Sequence, residues 1–581
     1  MAKLILVADQ RIVASLTPAD FLLYVRQATT LLAGEWLGPH DVRVLAKGIG
    51  YPLFLVAVTK LHVPVLLAQQ LVYCLAVLLI IFGLQLAQVR RIAIVCAATF
   101  LLFSPDSYSI ANVILSRNPL YASTSLLLLA LLFLALFVFR WRILIPLVVF
   151  FALIVAWYSI IREEFVWILP IFGLFLGLYS LKYRHKNVIA SGGRLALMVV
   201  ISAVSITAVK EIIRYQNLSV YGINVLYDQA EGGFPKAIAA LSRIETGQHR
   251  HFVPINEQAR LLAYDASPSF RTLKRYLEGP ARKTWTKFGC QRVGVCDDIA
   301  GGWFTWAVKN AATAAGYYQT PATSEAFYQK MADEINAACE SGKLPCTSQR
   351  NSLRAAYFRR AEFAYWPKGF AQLMVMTMLG DVNIQAGPSN PRTIKEFEDI
   401  FPGQVDIPAF RDFDLEAALA TVKSQEALLA KLPDDLVEQY IPPQNTPNQT
   451  IRNLLKPIYG LLKPALGIIG MLIIGHYLYF AWQTKSLLFD THLPYICAGL
   501  ALCAVFASTG LLTFVHISHH NLNDTKLLTS YTMYSLFCAL TIVLLFDYVV
   551  AMNESMLKGA QQNTPEKRDG ANEINHSDSL L

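Results

Sequence analysis

The chain has 581 residues, of which 54% are hydrophobic and only 16% charged, with a formal net charge of +9. A charged share this far below the roughly 25% of soluble domains excludes an ordinary soluble enzyme and points to a membrane protein with room for an extramembrane unit. In such a protein the positive balance reflects Lys and Arg in cytoplasmic loops, so it is not read as a nucleic-acid surface.

The first sixteen residues, MAKLILVADQRIVASL, carry Asp9 and Arg11 and cannot span a bilayer; they also lack the apolar core and cleavage site of a signal peptide. Residues 17–55 combine an acid, Asp20, with an apolar amphipathic stretch, a turn at Gly34, Trp36 and Gly38, and the run Lys47-Gly48-Ile49-Gly50-Tyr51-Pro52. Asp20 also suits a plain helix N-cap after Pro18. Lys47 also suits an interfacial lysine whose ammonium reaches back to water.

Apolar runs then follow at 65–87, 92–103, 120–139, 143–161, 165–181, 195–213, 464–484, 492–515 and 527–546. Residues 143–161 are nineteen uncharged residues, a helix of roughly 30 Å, which is the thickness of a hydrocarbon core. Arg162, Glu163 and Glu164 follow at once, before the next run. Ionisable groups pinned at membrane depth or at its edge mark a site by default. A structural ion pair closing a tight turn is the rival explanation.

Run 92–103 is short, and run 195–213 ends on Lys210 and Glu211. Counting 92–103 as a span puts Arg90-Arg91, Arg140 with Arg142, the 182–194 cations, Lys485 and the tail after Met552 on one side. The positive-inside rule makes that side cytoplasmic. Residues 104–119, 162–164, 214–456 and 516–526 then face outward. So does everything before residue 64, which favours a further helix upstream of this N-terminus.

Segment 214–456 is soluble in composition and shows little period-2 alternation. Thr320-Pro321 suits an N-cap with Pro at the first helical position. Phe327, Met331 and Ile335 follow as one buried helical stripe, and Leu415, Leu419, Val422 and Leu429 repeat the pattern within 414–432. Residues 442–456 read as a linker back to the membrane. Four cysteines lie in this segment. The spacings of Cys290 with Cys296 and of Cys339 with Cys346 fit zinc poorly and favour two disulfides, which persist in an oxidising compartment such as the periplasm. His516, His519 and His520 sit in a loop that reads as plainly polar, so no metal site is assigned.

The expected architecture is an all-α polytopic membrane protein of about nine transmembrane helices with a large inserted, mainly helical periplasmic domain. Its parts are an external segment 1–64 with re-entrant or amphipathic helices, a bundle 65–213, the soluble domain 214–456, C-terminal spans 457–551 and a disordered tail 552–581. The candidate groups collect outward: Asp20, Lys47, Asp106 with Arg117, and Arg162 with Glu163 and Glu164. A carboxylate beside an acceptor hydroxyl and cations beside a lipid phosphate are what lipid-linked sugar transfer needs.

Asp20 in a first external loop, Gly34-Glu35-Trp36-Leu37-Gly38 and Lys47-Gly48-Ile49-Gly50-Tyr51-Pro52-Leu53-Phe54-Leu55 together resemble the N-terminal pattern of GT-C-type membrane glycosyltransferases, in the protein-mannosyltransferase and aminoarabinose-transferase-like branch. The resemblance covers roughly residues 17–180. It implies a GT-C-like bundle, Asp20 as catalytic base and a polyprenyl-phosphate sugar donor, with inversion at the anomeric carbon. Lys47 and Arg117 or Arg162 are then expected to bind donor phosphate, and Glu163 and Glu164 to place substrate or a divalent cation. The expected partners are the lipid-linked donor, membrane lipids and an envelope acceptor at a bacterial inner membrane. A non-catalytic envelope scaffold is the first rival. A transporter or flippase is the second, although no internal repeat is present.

Overall fold

The computed structural model describes residues 1–15, 20–183, 188–247, 250–348, 360–379, 388–408, 414, 417, 438–439, 446–484, 493–518 and 524–562. Eight helices among them are long and apolar enough to cross a membrane: Val65–Leu86, Arg117–Ala135, Trp141–Ile161, Glu163–Tyr183, Gly192–Tyr221, Pro447–Thr484, Leu493–Ser518 and Lys526–Val550. A ninth crossing is made if the bent pair Arg91–Leu102 and Pro105–Val113, 48° apart, counts as one span. That pair is the short 92–103 run. The chain is therefore a multi-pass, all-α membrane protein.

Arg117–Ala135 is the central helix, with 94% of its apolar window buried. Its second half, LLLLALLFLA, is apolar on every face, which is the pattern of a helix surrounded by others. Val65–Leu86, Trp141–Ile161 and the last helix, Asp524–Gln562, pack around it. The two ends of the bundle carry different charges. At one end Lys182 lies over the Phe137 ring at 5.2 Å, Arg194 lies over Phe139 at 3.7 Å, and Asp547 is within electrostatic reach of Arg90. These are the basic loops that the positive-inside pattern groups together. Asp20, Lys47, Arg117, Arg162 and Lys526 gather at the other end.

Segment 214–456 contributes to two cores. Phe234, Phe270, Phe304, Met331, Ile335 and their neighbours form a separate helical core within 233–346. Thr320 caps Pro321–Glu340 as its sequence requires, accepting from the Thr323 N–H. Residues 391–405 join the membrane bundle instead. Ile394, Phe397, Phe401 and Val405 are buried with Ile12 and Val13, and Ile12 pairs with Val405 in a parallel bridge. Trp366–Leu379 lies on Leu493–Ser518, where a Cβ on Gly369 would come within 2.6 Å of Ile517.

Two boundaries differ from the sequence expectation. Residues 447–456, expected as linker, are the first turns of the 38-residue helix Pro447–Thr484, held there by Arg452, which donates to the Leu6 carbonyl at 2.7 Å and pairs with Asp9. The last helix runs on to Gln562, so 552–562 is helical rather than disordered. The 415–432 stripe apart from residue 417, His519, His520 and the tail from residue 563 lie outside the described residues.

Cys290 is bonded to Cys296 and Cys339 to Cys346. Each bond closes a short loop in the 233–346 unit. Reducing either is expected to destabilise that unit by about 2 kcal/mol on a loop-entropy basis, measurable as a lower denaturation midpoint with reductant than without. Asn217, in an Asn-x-Ser sequon, is fully buried and donates to the Val225 carbonyl at 2.8 Å, so the folded chain does not offer it for glycosylation.

Candidate functional site

The site is assembled by a close backbone approach. Lys47 precedes Gly48 and Gly50, and the chain there presses on the end of Trp141–Ile161. A Cβ on Gly48 would lie 2.3 Å from the Ile160 carbonyl oxygen, and one on Gly50 would lie 2.8 Å from the Ile161 nitrogen. Only glycine fits such a contact. Trp157 seals it by donating its indole N–H to the Gly50 carbonyl at 3.2 Å. The Lys47-Gly-Ile-Gly-Tyr-Pro run is thereby held beside the Arg162-Glu163-Glu164 turn. Gly48→Ala is expected to shift the two segments apart and to lower both the melting temperature and any activity of the site; a variant with unaltered melting would show that the contact is slack.

Asp20 lies in the first turn of the helix Asp20–Leu32. Its carboxylate meets Lys47 Nζ at 3.0 Å. From the central helix Arg117 reaches Glu163 at 3.1 Å and the Ile161 carbonyl at 3.2 Å. Arg162 forks onto both oxygens of Glu164 at 3.0 and 3.1 Å and donates to Asn118 at 2.8 Å. Its guanidinium stands 5.1 Å from the Tyr121 ring. Tyr121 stacks on Tyr158 at 4.2 Å, and both hydroxyls accept from the Trp167 indole at 3.1 and 2.9 Å. A hydrogen-bonded aromatic floor thus lies under the charges.

Six of the seven expected binding and catalytic residues come together: Asp20, Lys47, Arg117, Arg162, Glu163 and Glu164. Asp106 does not join them. It is buried beside Lys463 at 2.6 Å and accepts from Ser104 at 3.0 Å, in a separate cluster deeper in the bundle. Grouping it with Arg117 because both fall in 104–119 does not hold, since the chain after the short helix Arg91–Leu102 turns into the bundle and buries Asp106 there.

Lys526, at the start of the last span, is the residue that sequence reasoning missed. It is within electrostatic reach of Asp20, Lys47, Arg162 and Glu164. The signal was available: a lysine beginning a span on the side that the positive-inside pattern leaves poor in lysine. Tyr24 is the second omission. It lies four residues after Asp20 on the same helical face and within reach of Asp20, Arg117, Arg162 and Glu163.

Lys47, Arg117, Arg162 and Lys526 against Asp20, Glu163 and Glu164 leave one net positive charge. Exposure divides the groups. The Asp20 side chain is 33% exposed and that of Arg162 only 4%, so the acid is the accessible group and the arginine is fixed. Burial pushes the Asp20 carboxyl up, but Lys47 and then Arg117 outweigh it and hold the group below its ordinary value. Burial raises the Tyr24 hydroxyl, with Arg117 opposing and Asp20 adding to the effect, so it stays a donor. Glu163 and Glu164 are each engaged by an arginine, and a divalent cation would have to displace a guanidinium there. Among the described residues no three His, Cys, Asp or Glu side chains stand close enough to hold a metal.

Comparison with protein-family models, with curated proteins and with solved structures finds no match for this chain.

Proposed function

We propose that this protein is a membrane glycosyltransferase that moves a sugar from a polyprenyl-phosphate donor to an envelope acceptor on the outer face of a bacterial inner membrane. The observation that carries the proposal is the partly exposed Asp20 carboxylate held against Lys47, within electrostatic reach of Arg117 and Lys526 from two other helices. Resemblance of the 17–55 motifs to GT-C enzymes supplies the reaction type. In the proposed step Asp20 takes the proton of the acceptor hydroxyl as its oxygen bonds to the anomeric carbon. The anomeric C–O bond to phosphate breaks, its electron pair goes to the departing phosphate, and Lys47, Arg117 and Lys526 balance that charge. The net positive site suits an anionic donor at the membrane edge. The test is transfer of labelled lipid-linked sugar by membranes holding Asp20→Asn; transfer at the unaltered rate would refute the assignment.

One observation favours a second reading, a non-catalytic scaffold: Asp20, Glu163 and Glu164 each already have a cation, as in a structural lattice. The Lys47 side chain is 16% exposed, and removing one partner of a largely buried pair costs stability. A scaffold therefore predicts that Lys47→Met acts on melting alone and leaves partner binding by the folded protein intact, whereas the transferase loses donor binding.

A further inference from the structure

Residues 42–46, which deliver Lys47, are gripped from two directions. Gln27, on the same helix as Asp20, donates its amide to the Val44 carbonyl at 2.8 Å. On the opposite side the Asp228 backbone N–H donates to the Leu45 carbonyl at 2.9 Å. The Asp228 carboxylate in turn takes Lys309 Nζ at 2.7 Å on both oxygens. Lys309 belongs to Gly301–Ala314, in the core of the 233–346 unit, and its side chain is 0% exposed. Its ammonium lies 4.9 Å from the Phe234 ring and also reaches the Val42 carbonyl at 3.4 Å. Asp41 closes the turn by accepting from the Arg43 and Val44 N–H groups at 2.8 and 2.7 Å. Lysine is almost never fully buried without such pairing.

We propose that Lys309 and Asp228 are positioning residues for the candidate site: through the Leu45 carbonyl they hold residues 42–46 so that Lys47 stays against Asp20, which makes the helical 233–346 unit a working part of the membrane site. The importance of the Asp20–Lys47 contact for transfer rests on the glycosyltransferase reading; the positioning itself does not. Burial pushes the Lys309 ammonium down, and Asp228 opposes that, so the pair is costly to break by halves. A double replacement, Lys309→Met with Asp228→Asn, leaves no uncompensated charge and keeps the Asp228 backbone donor.

The experiment uses the full chain in detergent, with Lys309→Met alone and with the double replacement, both checked for an intact melting transition. An amine-reactive reagent is pulsed and the labelling of Lys47 is read by peptide mass spectrometry against Lys60, an exposed lysine on the next helix. Labelling of Lys47 relative to Lys60 is expected to rise about fivefold in either variant, as for a partly exposed ion pair that opens. Unchanged relative labelling in both folded variants would overturn the proposal. The second readout is the acid limb of the transfer rate against pH. Asp20 is faced by Lys47, Arg117, Lys526 and Tyr24. Loosening Lys47 moves the limb upward, a shift that mere loss of folded protein does not produce. Faster Lys47 labelling together with no transfer by the unmodified protein would keep the positioning role and reject the glycosyltransferase.

Discussion

Asp20→Asn is expected to reduce sugar transfer by about 10²- to 10⁴-fold, the contribution of one general base, while the folded protein is retained. Asn keeps the size of the side chain and its place in the first turn of Asp20–Leu32 but cannot accept the proton. The expected pH behaviour follows from the depressed carboxyl. A depressed group is ionised above its folded value, so the rate is flat through neutrality and falls only on the acid side, below the ordinary carboxylate range. The stability that Asp20 contributes has the same sense: present above the unfolded value, lost as pH falls through the folded one. Initial rates from pH 3 to 8 read the first effect. An acid limb near pH 6 would assign the proton to another group.

Lys463→Met is expected to cost about 3 kcal/mol of stability, because it removes the ammonium in contact with the buried Asp106 carboxylate and leaves Lys3 as the nearest cation. Along the last helix Ser535, which also donates to Asp106, lies about 13 Å below Lys526 and about 18 Å above Asp547 at 1.5 Å per residue. The pair is therefore near mid-depth, where an unpaired charge is most costly. Asp106→Leu combined with Lys463→Met is expected to recover part of the loss, since both charges of the contact go together, while buried Lys3 loses the nearby Asp106 anion and keeps only Ser107 as its acceptor. Denaturation in detergent measures both variants. If each single replacement costs less than about 1 kcal/mol, water reaches the pair and it is not a membrane-interior contact.

The spans were legible because bilayer thickness fixes a length that composition can be scanned for. The alternation of Arg90, Arg140 and Lys182 likewise marked the end of the bundle opposite to the one where the candidate site gathers. Within the site the glycines at 48 and 50 could be seen as a motif, but their purpose could not, since it lies in a contact with Ile160 and Ile161 more than a hundred residues away. Depth was the harder quantity. Asp106 and Arg117 are neighbours in sequence yet end at different levels, because Arg91–Leu102 has only 12 residues before it breaks. Lys463 was passed over for a related reason: it stands at the edge of the apolar 464–484 run and reads as a boundary until its partner on another helix is known. The fate of segment 214–456 followed the same rule. The Phe327, Met331 and Ile335 stripe declares its own helix but not its company. Nothing in Ile394, Phe397 and Phe401 announces that they pack in the bundle rather than with 233–346.

The pairing of Asp106 with Lys463 spans 357 positions of the chain, and this has a consequence for biogenesis. At about 5–20 residues per second the acid is synthesised roughly 20–70 s before its ammonium partner. Throughout that interval Lys3, made earlier and within electrostatic reach of Asp106, is the cation that the half-built bundle can offer the carboxylate. A ribosome that stops before residue 463 leaves that acid without its contacting ammonium for good, and surveillance proteases would have a chemical mark by which to tell the product from the finished chain.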